Sequence, residues 1–374
     1  MSGLRILITN RSLTTRGGTE TYLRDLAEGL VRRGHLPIVY SPRLGDTAAD
    51  LRAATVPVID NLDALGAPPD LIHGQHHLET MTALLRFPGV PAIYVCHGWL
   101  SWLEAPPLFP RIRRYVAVDW TCRDRLLFEH GIPEGAIRVL LNAIDLERFA
   151  PREPLPPRPR RALVLSNKAS QKTHVEAVRK ACGRAGVDVE IVGQGAGRVT
   201  ARPEDALRRA DLVFAKGRSA LEALAVGAAV VLCDASGSGP MVTTDNLGEL
   251  RAMNFGIRAL RDRIDSHTLS RRMTEYDSAD AAEVSRRIRA GAGRDALVDE
   301  LVELYREVLG EFASTTPADP VLEARAVSGY LRFLSAPLEN QVGLEITRNA
   351  RRLGRLPALR DKLRRWMRAR MPGS

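Results

Sequence analysis

No run of apolar residues in this 374-residue chain approaches the eighteen or so that a membrane-spanning helix needs. The opening stretch, Met1 to Ile8, holds one arginine and only a short apolar stretch, too short for a secretory leader. Cysteine is scarce: Cys96, Cys122, Cys182 and Cys233 are scattered, with no CxxC spacing, which excludes a dense disulfide framework and a cysteine-based structural zinc site. These absences point to a soluble protein of a reducing compartment, with the cytoplasm as the expected location. No repeat of solenoid length is present. What remains is the balance of an ordinary globular protein, 45% hydrophobic and 26% charged, long enough for two domains.

The net charge of +10 is concentrated at one end. Between Arg348 and Ser374 there are ten Lys or Arg and one acid, Asp361, so the rest of the chain is nearly neutral. Within that tail Leu356, Leu359, Leu363, Trp366, Met367 and Met371 recur at helical spacing, with Arg360, Lys362, Arg364, Arg365 and Arg368 largely off the stripe. The pattern over 356–371 fits a helix lying on an anionic membrane surface, or one packed back on the protein with its arginines solvated. No base-reading or stacking module accompanies the charge, so nucleic acid is not an expected partner.

The first 150 residues alternate short β-branched runs with amphipathic stretches. Strands are expected at Leu4–Ile8, Pro37–Tyr40, Val56–Ile59, Leu71–His73, Ala92–Cys96, Tyr115–Val118 and Ile137–Leu140. The first helix is marked by Tyr22, Leu23, Leu26, Ala27, Leu30 and Val31 on one face and by the Arg32-Arg33-Gly34 stop. Five prolines between Pro151 and Pro159 make a stiff connector. The alternation then restarts, with strands at Ala162–Ser166, Val187–Val192, Asp211–Ala215 and Ala228–Cys233. Helices are expected near Thr173–Cys182, Glu204–Arg209 and Ser219–Val226, and longer ones at Leu247–Arg261, Ala279–Ala290 and Ala296–Phe312. The reading is an α/β chain of two doubly wound, Rossmann-like domains, 1–150 and 151–313, facing across a cleft, followed by a helical, basic extension at 314–374.

Two loops carry chemistry. Gly17-Gly18-Thr19-Glu20 lies between the first strand and first helix, where glycines let a ligand approach backbone N–H groups at a helix start. It is not GxGxxG, and no acid is placed to hold a dinucleotide ribose; a plain tight turn would read the same. Lys216-Gly217-Arg218-Ser219 opens the helix toward Glu222. Ser219 and Glu222 have capping-box spacing, so Glu222 is either a cap or a ligand for ribose hydroxyls beside a diphosphate on the helix start. Lys216 and Arg218 favour an anion there, since cations oppose the dipole at that end. Lys168 and Lys172 follow the strand Ala162–Ser166 and could neutralise a leaving diphosphate, or be simply solvated. His73, His76 and His77 match no zinc spacing, and no metal is expected; His97-Gly98 ends a strand where such sheets place ligands.

Taken in order along residues 4–312, these segments resemble the family-4 glycosyltransferases of the GT-B fold. The resemblance rests on Gly17-Gly18-Thr19-Glu20 with Arg33-Gly34-His35, Val90-Pro91 with His97-Gly98, Asn142-Ala143-Ile144-Asp145 through Phe149, and Glu222-Ala223-Leu224-Ala225-Val226-Gly227. It implies retaining transfer from a UDP- or GDP-linked sugar without a metal cofactor, to a saccharide or lipid-linked acceptor, in cell-surface polysaccharide or glycolipid synthesis. By position it implies that Gly18 contacts the diphosphate, His97 the donor sugar, Lys172 the leaving phosphate and Glu222 the ribose. Three positions depart from the family pattern. Phe214 stands where the first of two paired glutamates is usual, Asn167 where an arginine is usual, and the stretch from Gly193 to Pro203 is short. A nucleotide-sugar 2-epimerase on the same fold, or a catalytically impaired scaffold, are the competing readings.

Overall fold

The computed structural model describes residues 3–198, 200, 202–315 and 319–335. The amphipathic segment 356–371 lies outside the described residues. The larger compact unit, residues 1–107 with 111–316, holds both sheets. In the smaller unit, residues 320–335 are helical.

The first sheet contains β1 (Arg5–Thr9), β2 (Leu36–Tyr40), β3 (Val58–Ile59), β4 (Leu71–Gln75), β5 (Ala92–Cys96), β6 (Ile112–Ala117) and β7 (Ile137–Val139). Their order is β3-β2-β1-β4-β5-β6-β7, and every neighbouring pair is parallel. The second contains β8 (Arg161–Leu165), β9 (Asp188–Val192), β10 (Leu212–Ala215), β11 (Ala229–Asp234) and β12 (Gly237–Met241), in the order β12-β11-β10-β8-β9. Only the edge strand β12 runs antiparallel among these pairs. Both sheets reverse their winding direction once, between β1 and β4 and between β8 and β10. Loops at the carboxyl ends of those strands part there, leaving a crevice for a ligand.

Helices cover both faces of the second sheet, so its strands are continuous apolar runs rather than alternating ones. Val213, Ala215, Val230 and Leu232 face one core with the helix Gly217–Val226; Val164, Phe214, Val231 and Cys233 face the other with the helix Val175–Arg184. Each large side chain sealed in this way contributes roughly 1.5–3 kcal/mol relative to exposure.

Two expectations are corrected. The apolar pattern over Leu247–Arg261 is not one helix: it forms Leu247–Ala252, breaks at Asn254 and Phe255, both with positive φ (47° and 53°), and resumes as a 3-10 turn at Ile257–Ala259. The last helix, Arg294–Ser314, does not belong to the second half, though the sequence placed residues up to 313 there. It packs on the first sheet and on the helix Gly18–Arg32. Tyr305 Oη lies 2.7 Å from His73 Nδ1 on β4, and Arg114 Nη2 on β6 donates to Glu307 at 2.7 Å. A Cβ on Gly29 would sit 2.7 Å from Val298 Cγ2, so only glycine lets these two helices approach so closely.

The chain therefore crosses between the halves twice, near 142–152 and near 291–294, and the crossings are bonded to each other. Ile144 N donates to Ala292 O (3.0 Å), Arg294 N to Ile144 O (2.8 Å), and Arg294 Nη1 to Asp145 Oδ2 (2.8 Å).

Candidate functional site

Two cavities open at the carboxyl ends of the central strands, lined from both halves, with volumes of ≈ 370 Å³ and ≈ 430 Å³. Both lie within the range of sites that take small ligands. The smaller is lined by His97, Gly98 and Asp119 of the first half and by Lys168, Lys216, Gly217, Asn254 and Gly256 of the second. The larger is lined by Arg16, Gly17 and Arg24 and by Ser166, Asn167, Val192, Gly193, Ser219 and Glu222, with Arg148 of the crossing segment. Gly18 and Arg218 line both.

The Gly17-Gly18 loop does what a glycine pair at a helix start allows. Gly17 is the extended N-cap of the helix Gly18–Arg32, with no side chain to cap it. A Cβ on Gly17 would lie 2.5 Å from Glu20 Oε2, whereas one on Gly18 would meet nothing within 4 Å and would intrude on the cavities. The facing helix, Gly217–Val226, starts at Lys216 rather than Ser219, so the capping-box reading of Ser219 and Glu222 does not describe it. Its first residue, Gly217, has φ 57° and donates its N–H to Phe255 O at 2.8 Å. The broken segment at 254–255 thus shapes the helix start, and its second anchor is Asn254 Nδ2, which donates to Val118 O in the first half.

Charges in the cleft are largely paired within the protein. Glu222 accepts from Arg218 Nε at 2.9 Å, and Arg218 also donates to Asp25 across the cleft. Burial pushes the Glu222 carboxyl up despite the Arg218 charge. Burial opposes the Arg218 cation, yet the Asp25 and Glu222 charges outweigh it and raise its pKa further. Lys216 Nζ lies 2.9 Å from Asp234, which also accepts from Ser166 Oγ at 2.6 Å. Burial pushes Asp234 up, but those hydrogen bonds and the lysine charge prevail and hold it below its usual range. Lys168 lines the smaller cavity, and Lys172 is exposed on the turn leading to the helix Val175–Arg184 and lines neither. The structure therefore brings together Gly17, Gly18, His97, Lys168, Lys216, Gly217, Arg218, Ser219 and Glu222, and leaves Lys172 outside.

His97 sits on the cavity wall in a T-shaped contact with Tyr22 (ring centroids 4.6 Å apart), and its Nε2 is buried without a hydrogen-bond partner. Burial, then the neighbouring His76 and His73, hold it well below its ordinary pKa, so the ring is neutral at pH 7. Its backbone N–H donates to Glu104 Oε2 (3.0 Å), and burial pushes that carboxyl up to about 7. Arg125 Nη2 holds the same loop through Ser101 O at 2.9 Å. Phe214 is fully buried in the core beside the helix Val175–Arg184 and lines neither cavity. Among the described residues no group of three or more His, Cys, Asp or Glu is placed to hold a metal ion.

Sequence reasoning did not find Asp25, Asp119, Glu104 or the 254–256 turn. Asp25 carried a signal: it is an acid beside the apolar stripe of the first helix, where a carboxylate is tolerated only with a partner.

Residues 16–148 match the model of the family described as Glycosyltransferase Family 4. No curated protein matches the sequence. A glycosyltransferase from Rickettsia africae ESF-5 superposes with a TM-score of 0.62 at 13% identity, over 83% of this chain and 99% of that one. The Anabaena protein Alr3699/HepE, solved with UDP and glucose, gives 0.58 at 16% identity, over 81% of this chain and 100% of that one. At such identities the structures speak for the fold, and no helix of the described residues is long and apolar enough to cross a membrane. Sequence match over residues 16–148 and fold over both halves agree: the chain has the two-domain GT-B fold, and its first half is similar to Glycosyltransferase Family 4.

Proposed function

We propose that the chain is a retaining glycosyltransferase that holds a nucleoside diphosphate sugar across the two cavities and works without a metal ion. The observation that carries this reading is the shared wall. Gly18 and Arg218, one from each half, line both cavities, so a donor can lay its diphosphate over them with the nucleoside on one side and the sugar on the other. The nucleoside belongs in the larger cavity, against Leu165, Val192 and Gly193, with Glu222 within the same wall for ribose hydroxyls. The sugar belongs in the smaller one, beside the neutral His97 ring. As the bond to the leaving diphosphate breaks, negative charge builds on phosphate oxygens. Lys168, Lys216 and two helix starts are already in place to receive it, and groups so preorganised need no rearrangement at the moment of transfer. Solved structures of the Anabaena neighbour with UDP and with UDP-glucose support the donor class.

The test is binding. UDP, GDP and their sugars are screened by thermal shift; a nucleotide at a hundred times its dissociation constant stabilises by about 2.7 kcal/mol. No stabilisation by any nucleoside diphosphate would remove the donor reading. With a donor in hand, the anomeric configuration of the product, read by NMR, decides between retention and inversion.

A further inference from the structure

One side chain divides the two cavities and also joins the two halves. Arg218 uses three of its five N–H groups within the protein. Nε donates to Glu222 (2.9 Å), Nη1 to Ala143 O in the crossing segment (3.3 Å), and Nη2 to Asp25 on the first-half helix Gly18–Arg32. Asp25 is 5% exposed and Glu222 6%. Glu222 lies on Arg218's own helix and moves with it, so that contact is indifferent to the position of the other half. Asp25 is different. It reaches Arg218 only when the halves are together; its other partner, Arg24 Nη2 at 3.4 Å, is its neighbour on the same helix and stays with it whatever the position of the second half.

We propose that Asp25 is a positioning residue for the donor site: from the opposite half it pins the Arg218 guanidinium so that the two remaining N–H groups face a diphosphate. Closure of the cleft and competence to bind the donor then become one equilibrium. Asp25 touches no ligand itself; it acts through Arg218. The inference rests on the donor reading above. It also explains why Arg218 is a fork rather than a lysine: a single ammonium cannot hold Glu222, Asp25 and a phosphate oxygen in fixed directions at once.

The experiment is calorimetric titration of the full chain with UDP and with GDP, alongside thermal unfolding of each variant. Asp25→Asn keeps the shape and removes the charge, and the dissociation constant of whichever nucleotide binds should rise about tenfold or more, as the competent fraction falls. Asp25→Glu, which restores the charge, should recover most of the affinity. In an Arg218→Gln background Asp25→Asn should add nothing, because its effect passes through that arginine. Should the Asn variant not fold, Asp25→Ser is used with the same expectation. Wild-type affinity in Asp25→Asn, or an equal loss in the Arg218→Gln background, overturns the proposal while the donor reading stands. Failure of the wild type to bind either nucleotide overturns both.

Discussion

Glu104 offers a test of the burial assigned to the floor of the first-half loop. Its carboxyl is pushed up to about 7 by burial, against an ordinary 4.5, although the His97 N–H and the Arg125 charge pull the other way. The folded chain therefore holds this proton longer than the unfolded chain does, and ionisation favours unfolding. Stability attributable to this group is intact below 4.5, falls as pH rises toward 7, and is lost above it. At 1.36 kcal/mol per pH unit the whole effect is about 3 kcal/mol, of which about 2 kcal/mol accrues between pH 5.5 and 8.0. Glu104→Gln keeps an oxygen to accept from His97 and cannot titrate. The buried histidines act in the opposite sense: burial holds His73 to about 3 and His76 to about 4, so their contribution grows as pH rises from 4 to 6.5. The His73 contribution is common to both proteins and cancels in their difference; His76 Nε2 lies 3.5 Å from Glu104 Oε1, so the comparison is repeated in a His76→Gln background, where that coupling is absent. Urea unfolding of wild type and variant at pH 5.5 and 8.0 should thus show the variant gaining about 2 kcal/mol relative to wild type over the interval. Parallel profiles would mean that Glu104 titrates as a solvated acid and that the loop above it is open to water.

Three further outcomes follow from the geometry. Lys168→Ala should cut transfer by ~10²-fold, as loss of a preorganised cation does, while Lys172→Ala, exposed and off both cavities, leaves nucleotide affinity near wild type; the reverse ranking, measured by calorimetry and single-turnover rates, would return Lys172 to the site. Gly18→Ala should leave the melting temperature unchanged, because its Cβ meets no protein atom within 4 Å, yet weaken UDP or GDP binding by filling ligand space. Gly29→Ala should do the opposite: a methyl group forced against Val298 separates two packed helices and costs roughly 1–3 kcal/mol in denaturant unfolding without touching the ligand walls.

How far the sequence alone leads depends on how local the cause is. Strands buried on both faces were legible nearly to the residue, as at Ala92–Cys96, because a short unbroken apolar run between polar turns suits a strand covered on both sides and little else. The edge strand Gly237–Met241, reading Gly-Ser-Gly-Pro-Met, has no such run and pairs on one side only, so it was invisible. The segment Leu247–Arg261 keeps helical spacing throughout; what breaks it is distant, the turn that lets Asn254 reach Val118 and Phe255 receive Gly217. The same holds for the site. Glycine loops at strand ends announce themselves locally, and Gly17, Gly18 and Gly217 were found that way. Lys172 resembles Lys168 in sequence terms, and only the path of the turn separates them. The Asp25–Arg218 pair spans 193 residues and has no local mark beyond one acid in an awkward place.

The doubled crossing between the halves has a mechanical consequence. A single linker is a thread, free to swivel in any direction; two segments hydrogen-bonded side by side at Ile144 and Gly293 form a strap. A strap bends easily across its broad face and resists twist and sideways shear, so it leaves the halves one easy motion, like a book on its spine. It also makes the joint tolerant of injury. A protease cut in the proline-rich stretch 151–159 would sever one band and leave the other, with the helix Arg294–Ser314 still clamped to the first sheet, so the nicked protein should travel as one particle until it is denatured.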